Sequence, residues 1–175
     1  MHLQKLILFV CRGNIHRSVV AELLARKLLV ANGHPDVEVG SRGLQWYMGE
    51  PPRHPNLMHY PSAWEGSREA LAEREVDVSR HIARRLELED MERADAVIVM
   101  DQELLRDSPT SVLNLFPSYG EKTHLFSELI DKIQDVEDRG EYASTSEYRA
   151  AVEEIESTLV SGLPRLLLWV GEGVP

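Results

Sequence analysis

The apolar residues of the chain fall into short continuous runs, and segments with helical periodicity lie between them. Two runs, Leu6–Val10 and 96–100, predict strands buried on both faces of a sheet, and Val37–Val39 and 123–126 are two further short strand candidates. Because strands alternate with helices along the chain, we predict a doubly wound α/β fold. It would have about four parallel strands flanked by helices.

The predicted helices differ in how clearly the sequence marks their ends. The first extends from Ser18 to Gly33, a residue type that commonly closes helices. Shorter helical patterns cover 66–75 and 102–106. A capping box at Ser144 opens a long final helix, and we expect Pro164 to interrupt or end it, because proline removes a helical hydrogen bond.

Length and proline content set the domain organisation that we expect. A chain of 175 residues favours one domain over 1–175, since domains usually contain about 100–150 residues. The segment 51–65 holds four prolines among histidine and aromatic residues, which predicts a proline-rich loop.

Charge and cysteine content exclude several classes of function. The formal net charge of −10 argues against nucleic-acid binding, which depends on Lys and Arg, although a local pocket can still be positive. No apolar run approaches the ~18 residues of a membrane span. Cys11 is the single cysteine, which is typical of a reducing compartment. We expect a cytoplasmic protein without a nucleic-acid or membrane partner; the oligomeric state stays open.

The most informative segment begins at Cys11 and includes Arg17, with five residues between them. A loop between a strand and a helix presents backbone N–H groups and the positive end of the helix, which together bind anions. Gly13 and Asn14 tolerate the left-handed backbone of a tight cradle. The predicted phosphate-binding loop comprises Arg12, Gly13, Asn14, Ile15, His16, Arg17 and Ser18.

The residue types of this loop suit nucleophilic phosphate chemistry. Thiolates are favoured at helix N-termini and beside cations, which makes Cys11 the candidate nucleophile. The planar guanidinium of Arg17 can hold two phosphate oxygens, and Ser18 can donate a hydrogen bond to the sulfur. The spacing alone also fits a buried cysteine near a surface arginine. The strand before and the helix after carry the prediction.

The segment from Val10 to Ser18 resembles the signature of the low-molecular-weight protein tyrosine phosphatases. Four later segments resemble the family in the same order, namely 41–51, 81–86, 99–101 and 135–138, followed by the final helix. The resemblance covers nearly the whole chain and is closest to bacterial-type members. It implies a phosphatase I-like fold and hydrolysis of phosphoprotein monoesters, above all phosphotyrosine, through a cysteinyl-phosphate intermediate.

The resemblance also implies roles for residues outside the loop. Asp138 matches the general acid of the family, with Asp135 as a reserve, because Arg139 stands where the family usually has proline. Ser41 and His81 match positions of a hydrogen-bond network behind the phosphate loop.

Three further positions are implied by the resemblance. Trp46 matches an aromatic wall of the substrate cleft, and Tyr142 is the nearest substitute for the aromatic residue that follows the acid. His16 replaces the second cysteine of many members, so no protective disulfide can form. A histidine there is a candidate to change the charge of the loop near pH 7. The 51–65 loop is longer than the corresponding stretch of most family members. It either shapes substrate access or is a passive surface insertion.

Several functions remain open on the sequence alone. Ile15 is the residue type associated with phosphotyrosine, whereas phosphoarginine-specific relatives tend to have threonine there. The alternatives are a phosphoarginine phosphatase, an arsenate reductase using an external thiol, and a non-catalytic phosphate-binding module, which stays open only because Arg139 departs from the family pattern. Cysteine-based phosphate transfer needs no cofactor or metal, and the histidines show no ligand spacing. The expected partner is a phosphorylated protein.

Overall fold

A computed structural model describes residues 4–140 and 143–172 and contains a four-stranded parallel sheet in the order β2-β1-β3-β4. Its strands are β1 (Leu6–Cys11), β2 (Glu38–Gly43), β3 (Ala96–Val99) and β4 (Thr123–Leu125). Helices flank the sheet on both faces, so the predicted fold class is confirmed.

Five α-helices are described. They are α1 (Arg17–Ala31), α2 (Pro61–Glu73), α3 (Leu88–Arg93), α4 (Val112–Leu115) and α5 (Thr145–Trp169). Short 3₁₀ segments cover Gln45–Met48, Leu57–His59, Pro117–Lys122 and Phe126–Ile130, and a single π-helical turn covers Glu103–Asp107. Within the described parts of the chain, no helix is both long and apolar enough to cross a membrane.

Strand β1 lies at the centre of the molecule and is buried on both faces. Its side chains alternate, so that Ile7, Phe9 and Cys11 join the core under α1, α2 and α5. The residues between them join a second core, which includes Leu86 and Met91. A strand covered on both sides needs a continuous apolar run, which explains the pattern in the sequence.

The topology places the candidate site at one edge of the sheet. The chain leaves β1 towards β2 on one side and later returns to β3 on the other, so the strand order reverses between β1 and β3. Ligands of such folds bind at the carboxyl ends of the strands beside this reversal. Val10 is paired with Val99, so Cys11 and Asp101 emerge close together at that edge.

The expectation that Pro164 interrupts or ends the final helix is wrong, because α5 continues to Trp169. Proline leaves the carbonyl four residues earlier without its helical donor, but Val160 and Pro164 both lie on the exposed face, where water can bind that carbonyl. Ile155 and Leu166 are fully buried on either side of the proline. Packing against the core therefore outweighs the local cost.

The proline-rich segment is also more ordered than the sequence suggested. A 3₁₀ turn covers Leu57–His59, and α2 begins at Pro61 rather than at residue 66, so the predicted loop over 51–65 ends at Tyr60. Proline at the first helical position is favourable, since its missing N–H would have no helical partner there. The proline at position 61 therefore indicates, from the sequence alone, that α2 begins before residue 66.

A tight contact in α5 gives a first prediction. A Cβ added at Gly162 would lie 2.5 Å from Leu129 Cβ and 3.0 Å from its carbonyl oxygen. We expect Gly162→Ala to lower the free energy of unfolding by about 1–3 kcal/mol in urea denaturation, because this contact cannot relax cheaply. Ser161→Ala, at an exposed neighbour, should change it by less than about 0.5 kcal/mol.

Helix propensity alone predicts the opposite sign for Gly162→Ala, a gain of about 1 kcal/mol. An unchanged or higher free energy of unfolding would therefore show that α5 does not approach Leu129 this closely.

Candidate active site

The loop between β1 and α1 forms an anion cradle. His16 precedes α1 without a side-chain cap, so the first N–H groups of the helix remain available to a ligand. Asn14 has a left-handed backbone with φ of 55°, as expected, whereas Gly13 does not. A Cβ at position 13 would lie 3.2 Å from Gln45 Oε1, so a larger residue there would require this side chain to shift by a few tenths of an ångström.

The sulfur of Cys11 lies at the bottom of this cradle, and the residue is only 3% exposed. The backbone N–H of Asn14 donates to Sγ over 3.3 Å, and Ser18 Oγ lies 3.0 Å from it. An N–H donor and a hydroxyl stabilise negative charge on sulfur. Both contacts suit a group that acts as a thiolate.

The side chain of Asn14 links the loop to β2. Its Nδ2 donates to Ser18 Oγ at 3.0 Å and to Ser41 Oγ at 2.8 Å. Ser41 in turn donates to Glu22 Oε2 at 2.6 Å. The structure therefore brings Ser41 to the network that the family resemblance implied, and it adds Glu22. Its position one turn after Ser18 in α1 was the only sequence clue.

The segment 81–86 holds the other side of Asn14. Arg84 N donates to Asn14 Oδ1, and His81 Nε2 lies 2.9 Å from the carbonyl oxygen of Asn14. Because a carbonyl only accepts, His81 Nε2 carries the hydrogen of this bond. Burial lowers the pKa of His81, which favours the neutral ring. His81 thus lies behind the loop, at the place where the resemblance put it.

Arg17 is buried, with 2% exposure, and its guanidinium is held in place by acceptors. Its NH1 group donates to Asp101 Oδ2 at 2.6 Å and to the Val136 carbonyl at 2.8 Å, while NH2 lies 3.2 Å from Asp138 Oδ2. Burial acts to lower the pKa of Arg17. Nearby Asp138, Cys11 and Asp101 together outweigh burial and raise the pKa, so the cation persists.

The two candidate acids occupy different places. The carboxylate of Asp138 lies in the cleft, beside Arg17 and 3.7 Å from Arg12 Nε. Asp135 instead accepts from the Gln102 N–H at 2.8 Å and does not line the cleft. The geometry therefore favours Asp138, even though Arg139 replaces the usual proline.

His16 lies in the loop, lines the cleft and is partly buried. Its Nε2 lies 2.9 Å from Ser67 Oγ, and its ring meets Tyr148 edge-on at 5.4 Å. Burial, followed by the charge of Arg17, lowers the pKa of His16 to about 4. The expectation of a charge change near pH 7 is wrong, because the ring is neutral there.

Tyr148 links His16 to the acid loop. Its hydroxyl lies 3.0 Å from the carbonyl oxygens of both Arg139 and Gly140. The ring leaves no room for a side chain at position 66, where a Cβ would lie 2.5 Å from Tyr148 Cδ2. Nothing in the sequence around Tyr148 indicates these contacts, because those with His16 and Gly66 join segments that are far apart along the chain.

A cleft of about 680 Å³ opens above the phosphate loop. Cys11, Arg12, Gly13, Ile15, His16 and Arg17 line its floor, and residues from 53–63 and 138–140 line its sides. Trp46 was expected to form a wall, but it does not line the cleft. Its ring lies over Gly43, whose missing Cβ leaves the space, and Gln45 reaches the cleft instead. Tyr142 lies outside the described residues.

The described residues hold no group of three or more His, Cys, Asp or Glu side chains placed to bind one metal ion.

Comparisons with known proteins agree with this geometry. A curated relative, the low molecular weight protein-tyrosine-phosphatase PtpA of Staphylococcus saprophyticus, is 36% identical over 97 residues, which are 55% of this chain and 54% of that protein. The chain thus matches about half the length of this relative.

Two solved structures match most of the chain. The low molecular weight protein tyrosine phosphatase from T. tengcongensis is 27% identical, with a TM-score of 0.73 over 92% of this chain and 99% of that one. A mutant of the YwlE arginine phosphatase with a phosphorylated active-site serine is 26% identical, with a TM-score of 0.73. The match covers 93% of this chain and 95% of that one.

The family model for the low molecular weight phosphotyrosine protein phosphatases matches residues 6–166, which include the phosphate loop, the network behind it and the acid loop. The chain belongs to the low molecular weight phosphotyrosine protein phosphatase family.

Proposed function

We propose that this chain is a protein phosphatase that hydrolyses phosphotyrosine through a phosphate ester of Cys11. One observation carries the proposal. The Cys11 sulfur, with two hydrogen-bond donors, lies on the floor of a cleft that also contains the Arg17 guanidinium and the Asp138 carboxylate. Nucleophile, phosphate clamp and acid are thus gathered in one cavity.

In the first step, the Cys11 thiolate attacks phosphorus and forms a P–S bond while the P–O bond to the leaving group breaks. Arg17 and the N–H groups of the loop hold the other phosphate oxygens and stabilise their charge. Asp138, in its protonated form, gives its proton to the leaving oxygen. The products of this step are the free alcohol and a cysteinyl phosphate.

In the second step, water attacks phosphorus and the P–S bond breaks. Asp138, now a carboxylate, takes the proton from that water, and inorganic phosphate is released. Ser18 Oγ, 3.0 Å from the sulfur, stabilises the departing thiolate. The enzyme returns to its starting state without a cofactor.

The depth of the site favours a long substrate side chain. Cys11 and Arg17 are at most 3% exposed, so a phosphate on a short side chain such as serine would not reach them easily. Ile15 lines the cleft and is packed against the apolar core, which provides a nonpolar surface for an aromatic ring. Both features support phosphotyrosine.

Phosphoarginine is a second candidate, because the side chain is equally long and an arginine phosphatase is among the similar structures. The comparison of kcat/KM for two peptides of one sequence, carrying phosphotyrosine or phosphoarginine, tests the choice. We expect the phosphotyrosine peptide to be hydrolysed faster, since Ile15 offers no polar partner to a guanidinium.

A non-catalytic role is less well supported. It rested on Arg139 in place of proline, but Asp138 lies beside Arg17 despite that change. Arsenate reduction through an external thiol has no specific support in the site. The proposal includes a phosphorylated protein as partner and a cytoplasmic location, in keeping with the single, unpaired Cys11.

The assignment of the acid can be tested with leaving groups. Asp138→Asn should lower kcat/KM for phenyl phosphate by about 100-fold or more, because phenoxide needs the proton. The loss should be smaller for p-nitrophenyl phosphate, whose leaving group is stable without it. Steady-state kinetics of both substrates measure the difference.

Asp135→Asn is the matched control, since Asp135 bonds to Gln102 outside the cleft. It should leave the ratio of the kcat/KM values for phenyl phosphate and p-nitrophenyl phosphate unchanged. If Asp135→Asn produced the larger loss on phenyl phosphate, the roles of the two carboxylates would have to be exchanged.

The neutrality of His16 gives a pH prediction. With a pKa of about 4, the ring is largely unprotonated between pH 5.5 and 8. His16→Gln, which keeps a polar group for Ser67, should therefore leave the shape of the kcat/KM profile unchanged over this range, whatever its effect on the absolute rate. A limb that disappears in the variant would mean that His16 titrates in the active enzyme.

A further inference from the structure

The cleft is positive although the protein is acidic. The chain has a formal charge of −10, yet the described residues that line the cleft include four arginines and a single carboxylate, Asp138. Arg17 is paired with Asp101, and Arg12 is paired with Glu103. Two further cations, Arg53 and Arg139, are not needed for the proposed chemistry.

These two cations lie in segments that bound the cleft beyond the phosphate loop. Arg53 begins residues 53–60, here called the rim loop, which also brings His54, His59 and Tyr60 to the cleft. Arg139 follows Asp138 in the acid loop. Both segments line the same cleft as Cys11 and Arg17.

The rim loop is held in place by its own hydrogen bonds. The Tyr60 hydroxyl bonds to both the N–H and the carbonyl of His54 at 3.0 Å. The buried side chain of Asn56 donates to the carbonyls of Val78 and His81, and its oxygen accepts from Met58 N. A preorganised loop loses little conformational entropy when it binds a ligand.

Both arginines have hydrogen-bond donors that lack an acceptor in the described residues. Within residues 4–140 and 143–172, Arg53 makes no ion pair or hydrogen bond. Arg139 NH1 is bonded to Glu137, an exposed carboxylate, but its Nε is buried without a partner in the same part of the chain. A buried N–H donor without an acceptor is costly, so a turn of the Arg139 side chain that brought this Nε to a ligand oxygen in the cleft would relieve a penalty.

We propose that Arg53 and Arg139 form an anion subsite that binds a carboxylate side chain, Asp or Glu, adjacent to the phosphorylated residue of the substrate. The proposal rests on the proposed function, because the phosphate on Cys11 fixes where the rest of the peptide lies. Arginine suits this task, since its planar guanidinium binds a carboxylate through two parallel hydrogen bonds. Glu137 competes for Arg139 and is displaced or shared on binding.

The subsite makes the enzyme selective for acidic phosphopeptides. Contacts between partly exposed charges are modest, so we expect a preference of about three- to tenfold. It should weaken at high salt, which screens exposed charges. Small aryl phosphates do not extend to the rim and should not report on it.

The test compares two phosphotyrosine peptides that differ only in glutamates or glutamines beside the phosphotyrosine. Binding is measured with Cys11→Ala protein, which has no side-chain nucleophile, and kcat/KM with the wild type. We expect the glutamate peptide to bind and react about three- to tenfold better. Arg53→Gln and Arg139→Gln, each also made in the Cys11→Ala background, should reduce that preference.

Arg68→Gln is the matched control, because Arg68 is an exposed arginine of α2 that pairs with Glu65 and does not line the cleft. It should keep the full preference. Equal affinity for the two peptides, or an equal loss of preference in Arg68→Gln, would overturn the subsite. Inactivity of the wild type on p-nitrophenyl phosphate and both peptides would instead overturn the proposed function, while the binding measurement would still decide the subsite.

Discussion

The hydrogen bonds of Asn14 are the interaction on which the rest of the site depends. This one buried residue supports the Cys11 sulfur through its backbone N–H, Ser18 and Ser41 through its amide nitrogen, and the segment 81–86 through its two oxygens. Its left-handed backbone turns the chain from β1 into α1. Separate parts of the sequence thus fix one loop, and a preorganised loop can hold charge at the moment of reaction.

A second constraint is the buried charge of Arg17. An unpaired buried cation is strongly unfavourable, and here Asp101 compensates it from the end of β3. The same contact fixes the direction of the guanidinium. Its NH1 group donates to Asp101 and to the Val136 carbonyl, so NH2 lies on the side of the cleft, beside Asp138. The parallel sheet therefore contributes directly to phosphate binding, since it brings the ends of β1 and β3 together.

The sequence predicted the parts that depend on local patterns. Buried parallel strands need continuous apolar runs, and the Cys11–Arg17 loop needs particular residues at fixed spacing. The resemblance to the family supplied Asp138, Ser41 and His81. Long-range packing could not be predicted, because nothing near Trp46 indicates that its ring covers Gly43 rather than the cleft.

The central claim is that phosphate passes through a covalent bond to Cys11. Rapid acid quench of the enzyme during turnover of an aryl phosphate, followed by mass spectrometry of its peptides, tests it most directly. The account predicts one phosphoryl group on the peptide that contains Cys11, and none on that peptide in Cys11→Ala, which has no side-chain nucleophile. An active enzyme that carries no phosphate on Cys11 at any quench time, even in a variant of Ser18 that slows the second step, would contradict it.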